Sequence, residues 1–112
     1  MDTIAWSDFE KVEMRIGTII AAKLFIGAKN EAYQIQINFG SEIGIKKTSA
    51  QITVKYAADD LIGKQVVAVV NFPKKQIGTF MSECLIMGSL GANNEVVLLS
   101  PDMKVENGLR IG

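Results

Sequence analysis

Hydrophobic and polar residues alternate near the start of the chain. Between residues 11 and 20 the even-numbered positions are the more apolar set: Val12, Met14, Ile16, Thr18 and Ile20. An alternation of period two predicts a half-buried β-strand. Gly17 lies within this strand and predicts a bulge or a sharp bend. Ser7 is followed three residues later by Glu10, a pattern typical of a helix N-terminus, so we expect a short helical turn before the strand.

The middle of the chain predicts two more strands, a helix and a fourth strand. Residues 33–39 alternate cleanly between apolar and amide side chains, and a third strand is expected at residues 43–54. Residues 57–62 are expected to form a short helix that ends at Gly63. Residues 66–70 are apolar without alternation, which is typical of a strand covered on both faces. Pro73 then ends this strand, because proline cannot donate to a ladder.

The last third of the chain predicts strands near residues 82–87 and 95–99, separated by a turn at residues 88–94. The tail contains Asn107 and Gly108, a turn signal that favours a final short hairpin. A bent first strand and a helix between strands three and four are typical of the OB-fold, a five-stranded Greek-key barrel. An SH3-like barrel normally lacks that helix. We therefore predict an all-β domain over residues 1–112 with short N- and C-terminal extensions.

Composition favours binding over catalysis. Twelve basic residues balance twelve acidic ones, and there is no histidine and only one cysteine. Without histidine the commonest general base and metal ligand are missing, so we expect no enzyme activity, no metal site and no cofactor. The lone Cys84 fits a reducing cytoplasm and is expected to be a small buried residue. The longest apolar run, residues 66–70, is too short to span a bilayer, so no membrane insertion is expected.

An OB-fold binds ligands on strands two and three and on the loops beside them. The loop between strands four and five combines lysines with apolar side chains that can stack on bases or hold peptide side chains. The neighbouring third strand carries Lys46 and Lys47, together with hydroxyl and amide groups. The alternatives are a solvated turn with its phenylalanines in the core, and an edge strand protected by lysines. The candidate ligand-binding residues are Lys46, Lys47, Ser49, Ala50, Gln51, Asn71, Phe72, Lys74, Lys75, Phe80, Met81, Ser82 and Glu83.

Five segments of the chain resemble the CsaA-type export chaperones, a stand-alone branch of the tRNA-binding domain family. They are DFEKVEMRIG at 8–17, SAQI at 49–52, LIGKQ at 61–65, NFP at 71–73 and FMSE at 80–83. The resemblance implies an OB-fold homodimer in the cytoplasm that binds unfolded or pre-secretory polypeptides. The wider family binds tRNA. A dimer would also cover the second face of the apolar strand at residues 66–70.

The chain departs from the tRNA-binding pattern of this family at three positions. Gln76 stands where a lysine is usual, Gly78 where an arginine is usual, and Cys84 where glycine is usual. An arginine is a bidentate phosphate donor, so its loss weakens the expectation of tight tRNA binding. We therefore favour a chaperone that holds extended, basic or apolar polypeptide segments. A tRNA-binding accessory module remains the alternative, and a dimeric scaffold for another protein ranks third.

Overall fold

The computed structural model describes all residues from 1 to 112 and consists mainly of short strands. The strands are β1 (Met14–Leu24), β2 (Tyr33–Asn38), β3 (Ile45–Ala50), β4 (Gln65–Val69), β5 (Lys75–Ile77), β6 (Phe80–Ser82), β7 (Leu85–Ile86), β8 (Gly88–Leu90) and β9 (Val96–Leu98). The helices are α1 (Trp6–Glu10), α2 (Gly40–Ile43), α3 (Ala58–Leu61) and a 3-10 turn at Ala92–Asn94. None of these helices has the length and apolar character needed to cross a membrane.

Five antiparallel strands form the main sheet in the order β3-β2-β1-β4-β7. The sheet curls until its two ends meet, where the backbone N–H of Glu83 donates to the carbonyl of Lys47 over 2.8 Å. Helix α3 lies between β3 and β4, and its residue Leu61 is fully buried in the core. The predicted OB-type barrel with a helix between strands three and four is confirmed.

The first strand differs from its prediction in which side chains face the core. The pairing of β1 with β2 shifts register between Ile19 and Ala21, so the bulge lies there and not at Gly17. Ile19 is fully buried, whereas Ile20 is exposed. Gly17 serves a different purpose: a Cβ at this position would collide with the side chains of Ile37 and Phe39. The expected bend is therefore real, but the glycine is required for close packing.

Strand β4 is buried on both faces within one chain. Val66 and Ala68 belong to the barrel core, and Val67 and Val69 on the other face are only 7% and 3% exposed. The carbonyl of Leu99 accepts a hydrogen bond from the backbone N–H of Val67 over 3.2 Å. Both faces of this strand are therefore already covered within one chain, and a second subunit is not needed to explain its composition.

The C-terminal tail does not form the predicted hairpin. Instead it runs antiparallel to β1, with Arg110 opposite Arg15. The N–H of Ile16 donates to the carbonyl of Leu109 over 3.0 Å, and the N–H of Gly108 donates to the carbonyl of Ile16 over 2.7 Å. The turn at Asn107 and Gly108 is present, but β1 supplies the partner strand. Strand β2 pairs with β1 only from Thr18 onward, so the edge of residues 14–17 opposite β4 is free for the tail.

Three other elements have different bounds from those predicted. The proposed third strand began at residue 43, but α2 occupies Gly40–Ile43 and β3 ends at Ala50. The loop between strands four and five contains the hairpin β5–β6, and the strand predicted at residues 82–87 is divided between β6 and β7. Helix α1 begins at Trp6, where the Asp8 carboxylate accepts the N–H of Ala5, so Ser7 is not the N-cap.

Candidate functional site

The outer surface of β1, β2 and β3 carries the first candidate site. Cross-strand pairing sets Ala21 opposite Gln36 and Gln36 opposite Lys47 in one row. The next row contains Lys23, Gln34 and Ser49. These side chains point away from the core because Ile35 and Ile37, which alternate with the two glutamines, are buried. This surface is named the outer face below.

The hairpin β5–β6 places Phe80 beside the outer face. The ring of Phe80 lies 5.4 Å from that of Phe25, and the Nζ of Lys47 lies 5.2 Å from the centre of the Phe80 ring. A cleft of about 360 Å³ lies beside the Phe80 ring on this surface. Its lining residues are Ala21, Ala22, Lys23, Gln34, Ile35, Gln36, Lys47 and Phe80. The short side chains of Ala21 and Ala22 leave room for the cleft. Lys23 and Lys47 are the only charged side chains in its lining.

Glu83 joins the hairpin to β3. One oxygen of its carboxylate accepts the backbone N–H of Lys47 over 3.0 Å, and the other lies 3.3 Å from the Nζ of Lys74. The hydrogen bond from Lys47 is the main cause that lowers the pKa of Glu83, and Lys74 contributes less. Lys74 is thus already paired with a carboxylate, which reduces its availability to a phosphate ligand.

Ser82 is part of a chain of hydroxyl groups that closes the barrel. The N–H of Ser49 donates to Oγ of Ser82 over 3.3 Å, and this Oγ lies 3.0 Å from Oγ1 of Thr48. Thr48 is buried and donates to the carbonyl of Cys84 over 2.7 Å. Burial raises the pKa of the Cys84 thiol to about 12, so the group is a neutral core residue.

Asn71 holds the N-terminal segment and does not line the outer-face cleft. Its Oδ1 accepts the N–H of Glu13 over 3.1 Å, and its Nδ2 donates to the carbonyl of Lys11 over 2.7 Å. Glu13 in turn pairs with Arg15 and Arg110. Both ends of the Asn71 amide are therefore used within the protein.

The other predicted site residues are divided among several surfaces. Lys46 and Lys47 are neighbours in β3, so their side chains point to opposite sides, and only Lys47 reaches the outer face. Phe72 is exposed, Lys75 is exposed on β5, and Met81 is half-buried on β6. None of these three lines the outer-face cleft.

Ser49, Ala50 and Gln51 line a second cleft at the seam between β3 and β7. Its volume is about 640 Å³, and no charged side chain lines it. Most of its apolar lining residues lie on the other side of the seam, and they are Leu85, Ile86, Met87, Leu90 and Val96. This surface is named the seam cleft below.

Three polar residues of the outer face were absent from the predicted set: Lys23, Gln34 and Gln36. Phe25, which packs against Phe80, was absent as well. The two glutamines had a usable signal, since the alternation of residues 33–39 already placed them on the polar side of their strand. The alternation predicted for the first strand ended at Ile20, so Lys23 was not assigned to a face. In the structure it lies on this face after the register shift between Ile19 and Ala21. Across the whole chain, no three metal-ligating side chains lie close enough to hold an ion.

Residues 14–110 match the sequence model of a domain family described as "Putative tRNA binding domain". The chain belongs to this family. Its structure superposes on the chaperone CsaA of Bacillus anthracis str. Ames with a TM-score of 0.94 and 44% identity, covering 99% of this chain and 100% of the other. The CsaA chaperone of Picrophilus torridus gives a TM-score of 0.92 and 44% identity, with 98% and 100% covered.

The same domain occurs in larger enzymes. The methionine–tRNA ligase of Leptospira biflexa is 33% identical over 105 residues, which is 94% of this chain. The chain spans only 15% of the length of that ligase. The resemblance of this chain to the CsaA branch of the family is therefore confirmed.

Proposed function

We propose that this protein is a CsaA-type chaperone that binds extended apolar segments of unfolded or pre-secretory polypeptides in the cytoplasm. Binding is reversible and needs neither catalysis nor a cofactor. The observation that carries the proposal is the seam cleft, which is large, uncharged and mainly apolar. Full-length similarity to two proteins described as CsaA chaperones supports it.

The backbone at the seam cleft suits an extended chain. Within β3, the N–H groups of Lys47 and Ser49 that face the seam are occupied by Glu83 and Ser82. Two residues further along the same edge, Gln51 makes no hydrogen bond through its backbone or its side chain. A polypeptide lying there would find a free donor and a free acceptor beside apolar walls, which is the arrangement used in strand addition.

The working form proposed is a homodimer. Several large apolar side chains outside the seam are exposed in one chain, among them Trp6 at 70%, Val97 at 49% and Leu99 at 47%. Tryptophan is enriched at the centres of protein interfaces, and Trp6 is the most exposed aromatic side chain of this chain. A dimer would supply two seam clefts in one particle.

The test of this function is binding of a reduced, alkylated and therefore permanently unfolded protein. Leu85 lines the seam cleft and is 48% exposed, and Leu24 is 53% exposed at the end of β1. Leu85→Glu should weaken binding about tenfold or more, because it places a charge in an apolar site. The matched variant Leu24→Glu should bind normally. Equal binding by both variants, or none by the unchanged protein, would contradict the proposal.

A second candidate function, tRNA binding, is favoured by the outer face. Lys23 and Lys47 line the same cleft as the Phe80 ring there, and the family description names tRNA. Binding carried by such contacts should weaken steeply as salt rises. The combined change Lys23→Glu and Lys47→Glu should abolish tRNA binding and leave the unfolded polypeptide bound. Lys74 is a poorer target than the sequence indicated because Glu83 already pairs with it.

A further inference from the structure

The contact between Lys47 and Phe80 is an interaction that a ligand can replace. The Lys47 side chain is exposed and its Nζ lies over the Phe80 ring at 5.2 Å, within the range of a cation–π contact. Phe80 is half-buried and held from another side by Phe25. The ring is therefore fixed, whereas the lysine above it is free to move.

The surroundings of this ring favour an anionic ligand. Lys23 and Lys47 are the only charged groups that line the outer-face cleft, and no carboxylate lines it. The carboxylate that contacts β3 here, Glu83, is occupied by the N–H of Lys47 and by Lys74. An incoming negative charge would thus meet two cations without a competing acid.

The cleft also offers hydrogen-bonding groups without partners. The side-chain amides of Gln34 and Gln36 line it, and neither makes a hydrogen bond within the protein. Each amide presents one acceptor and two donors. A volume of about 360 Å³ is near the lower limit for small-molecule sites and admits one small flat group, but not a double helix.

From this geometry we infer that the outer-face cleft holds one unpaired nucleotide of RNA, with Lys47 acting as an exchangeable cover. The base stacks on Phe80 in place of the Lys47 ammonium group. Lys47 then moves to the adjoining phosphate, with Lys23 on the other side, and the amides of Gln34 and Gln36 contact the edge of the base. This inference rests on the second proposed function, RNA binding, and names the part of the RNA that is recognised.

The experiment measures binding by the full chain of a hexauridylate and of a blunt-ended, GC-rich RNA duplex that stays paired under the same conditions, each at low and moderate salt. The single strand should bind and the duplex should not. Phe80→Leu should weaken binding about tenfold, since aromatic stacking contributes strongly for each base, and Phe80→Tyr should restore it. The uracil protons should shift upfield in NMR spectra with the unchanged protein and not with Phe80→Leu.

Lys47→Ala tests the exchange itself. In a plot of the logarithm of the binding constant against the logarithm of the salt concentration, the slope should become about 0.7 less steep. This is the change expected when one phosphate contact to a single strand is lost. Base stacking, seen as the upfield shift, should persist because the ring is uncovered. The matched variant Lys104→Ala, in a different cleft beside Thr18 and Met103, should leave slope and shift unchanged.

The outcomes separate this inference from the function on which it rests. If tRNA binds but hexauridylate does not, if Phe80→Leu has no effect, or if the duplex binds as well as the single strand, the inference is overturned and RNA binding stands. If the unchanged protein binds neither tRNA nor hexauridylate at low salt, both are overturned. Melting temperatures of all variants exclude loss of folding as the cause.

Discussion

Glu83 and Lys47 are joined by two hydrogen bonds that replace a β-ladder at the point where the barrel closes. The N–H of Glu83 donates to the carbonyl of Lys47 over 2.8 Å, and the N–H of Lys47 donates to Oε1 of Glu83 over 3.0 Å. Strands β3 and β7 lie at the two ends of the sheet and share no ladder. The Glu83 carboxylate therefore accepts the edge N–H of Lys47, which in a continuous ladder would donate to the carbonyl of a neighbouring strand.

The first prediction concerns the contribution of this side chain to stability. Glu83→Ala should lower the free energy of unfolding by about 2 kcal/mol, because a hydrogen bond to a charged acceptor is lost and the Lys47 N–H is left without a partner. Urea denaturation measures the change. Lys74→Ala removes only the exposed ion pair and should cost less than about 1 kcal/mol. Equal losses in the two variants would show that the backbone contact contributes little.

The second prediction is a pH dependence that originates at Glu83. The pKa of this carboxyl in the folded chain lies below its ordinary value of 4.5, so the folded state binds fewer protons than the unfolded state. The stabilisation is therefore complete above pH 4.5 and is lost as the pH falls through the folded pKa.

Urea unfolding of the unchanged protein and of Glu83→Gln over a range of pH measures this effect. The difference in stability between the two should be constant from neutral pH down to about pH 5 and should shrink at lower pH. A difference that stayed the same down to about pH 3 would mean that another group is responsible for the acid sensitivity.

The features that were predicted correctly depend on neighbouring residues in the sequence. The alternation in β2 placed Ile35 and Ile37 in the core and the glutamines outside, and the short helix α3 followed from its acidic start and from Gly63. Such signals are local, because side-chain direction in a strand follows from period two alone. The barrel type then followed from the order of the elements.

The features that were missed depend on contacts between distant parts of the chain. Asn71 looked like a ligand-binding residue, but its amide holds Lys11 and Glu13, which lie about 60 positions away in sequence. The register shift after Ile19 decides that Lys23 joins the outer face, and it is set by pairing with β2. Lys46 and Lys47 were predicted to share one binding face because both are cationic. The period of two in a strand places their side chains on opposite faces of β3.

The third prediction tests the packing at Gly17. A Cβ at this position would lie 2.7 Å from an atom of the Phe39 ring and would also meet Ile37. Both side chains are fully buried, so neither can move without disturbing the core. Gly17→Ala should therefore lower the free energy of unfolding by about 2–3 kcal/mol, as expected for overpacking. Urea denaturation measures it, and Gly112→Ala, where the added Cβ meets nothing, is the control.

A loss below about 0.5 kcal/mol for Gly17→Ala would show that β1 shifts to accept the methyl group. That outcome would also predict a change at the neighbouring register shift, since Thr18 and Ile19 pair with Asn38 and Ile37 just before it. Hydrogen exchange of the β1 amides shows whether β1 has shifted or has stayed in place. A shifted strand loses protection of the amides that pair with β2.

The fourth prediction concerns the proposed homodimer and uses Trp6, the single tryptophan of the chain. In one chain this side chain is 70% exposed and contacts the ring of Phe9 at 5.4 Å. If Trp6 lies at the interface, dilution should shift its fluorescence emission to longer wavelength as the dimer dissociates. Sedimentation velocity should show that the dimer dissociates at the same protein concentration as the midpoint of the fluorescence change.

Substitution at Trp6 completes this test. Trp6→Ala should raise the dissociation constant of the dimer about tenfold or more, as expected when an aromatic anchor is truncated, and Trp6→Phe should raise it less. Leu24→Ala removes a comparably exposed apolar side chain from the end of β1 and should leave sedimentation unchanged. A chain that sediments as a monomer at every concentration would refute the dimer. A dimer with constant Trp6 emission would place the interface at other exposed apolar side chains, such as Val97 and Leu99.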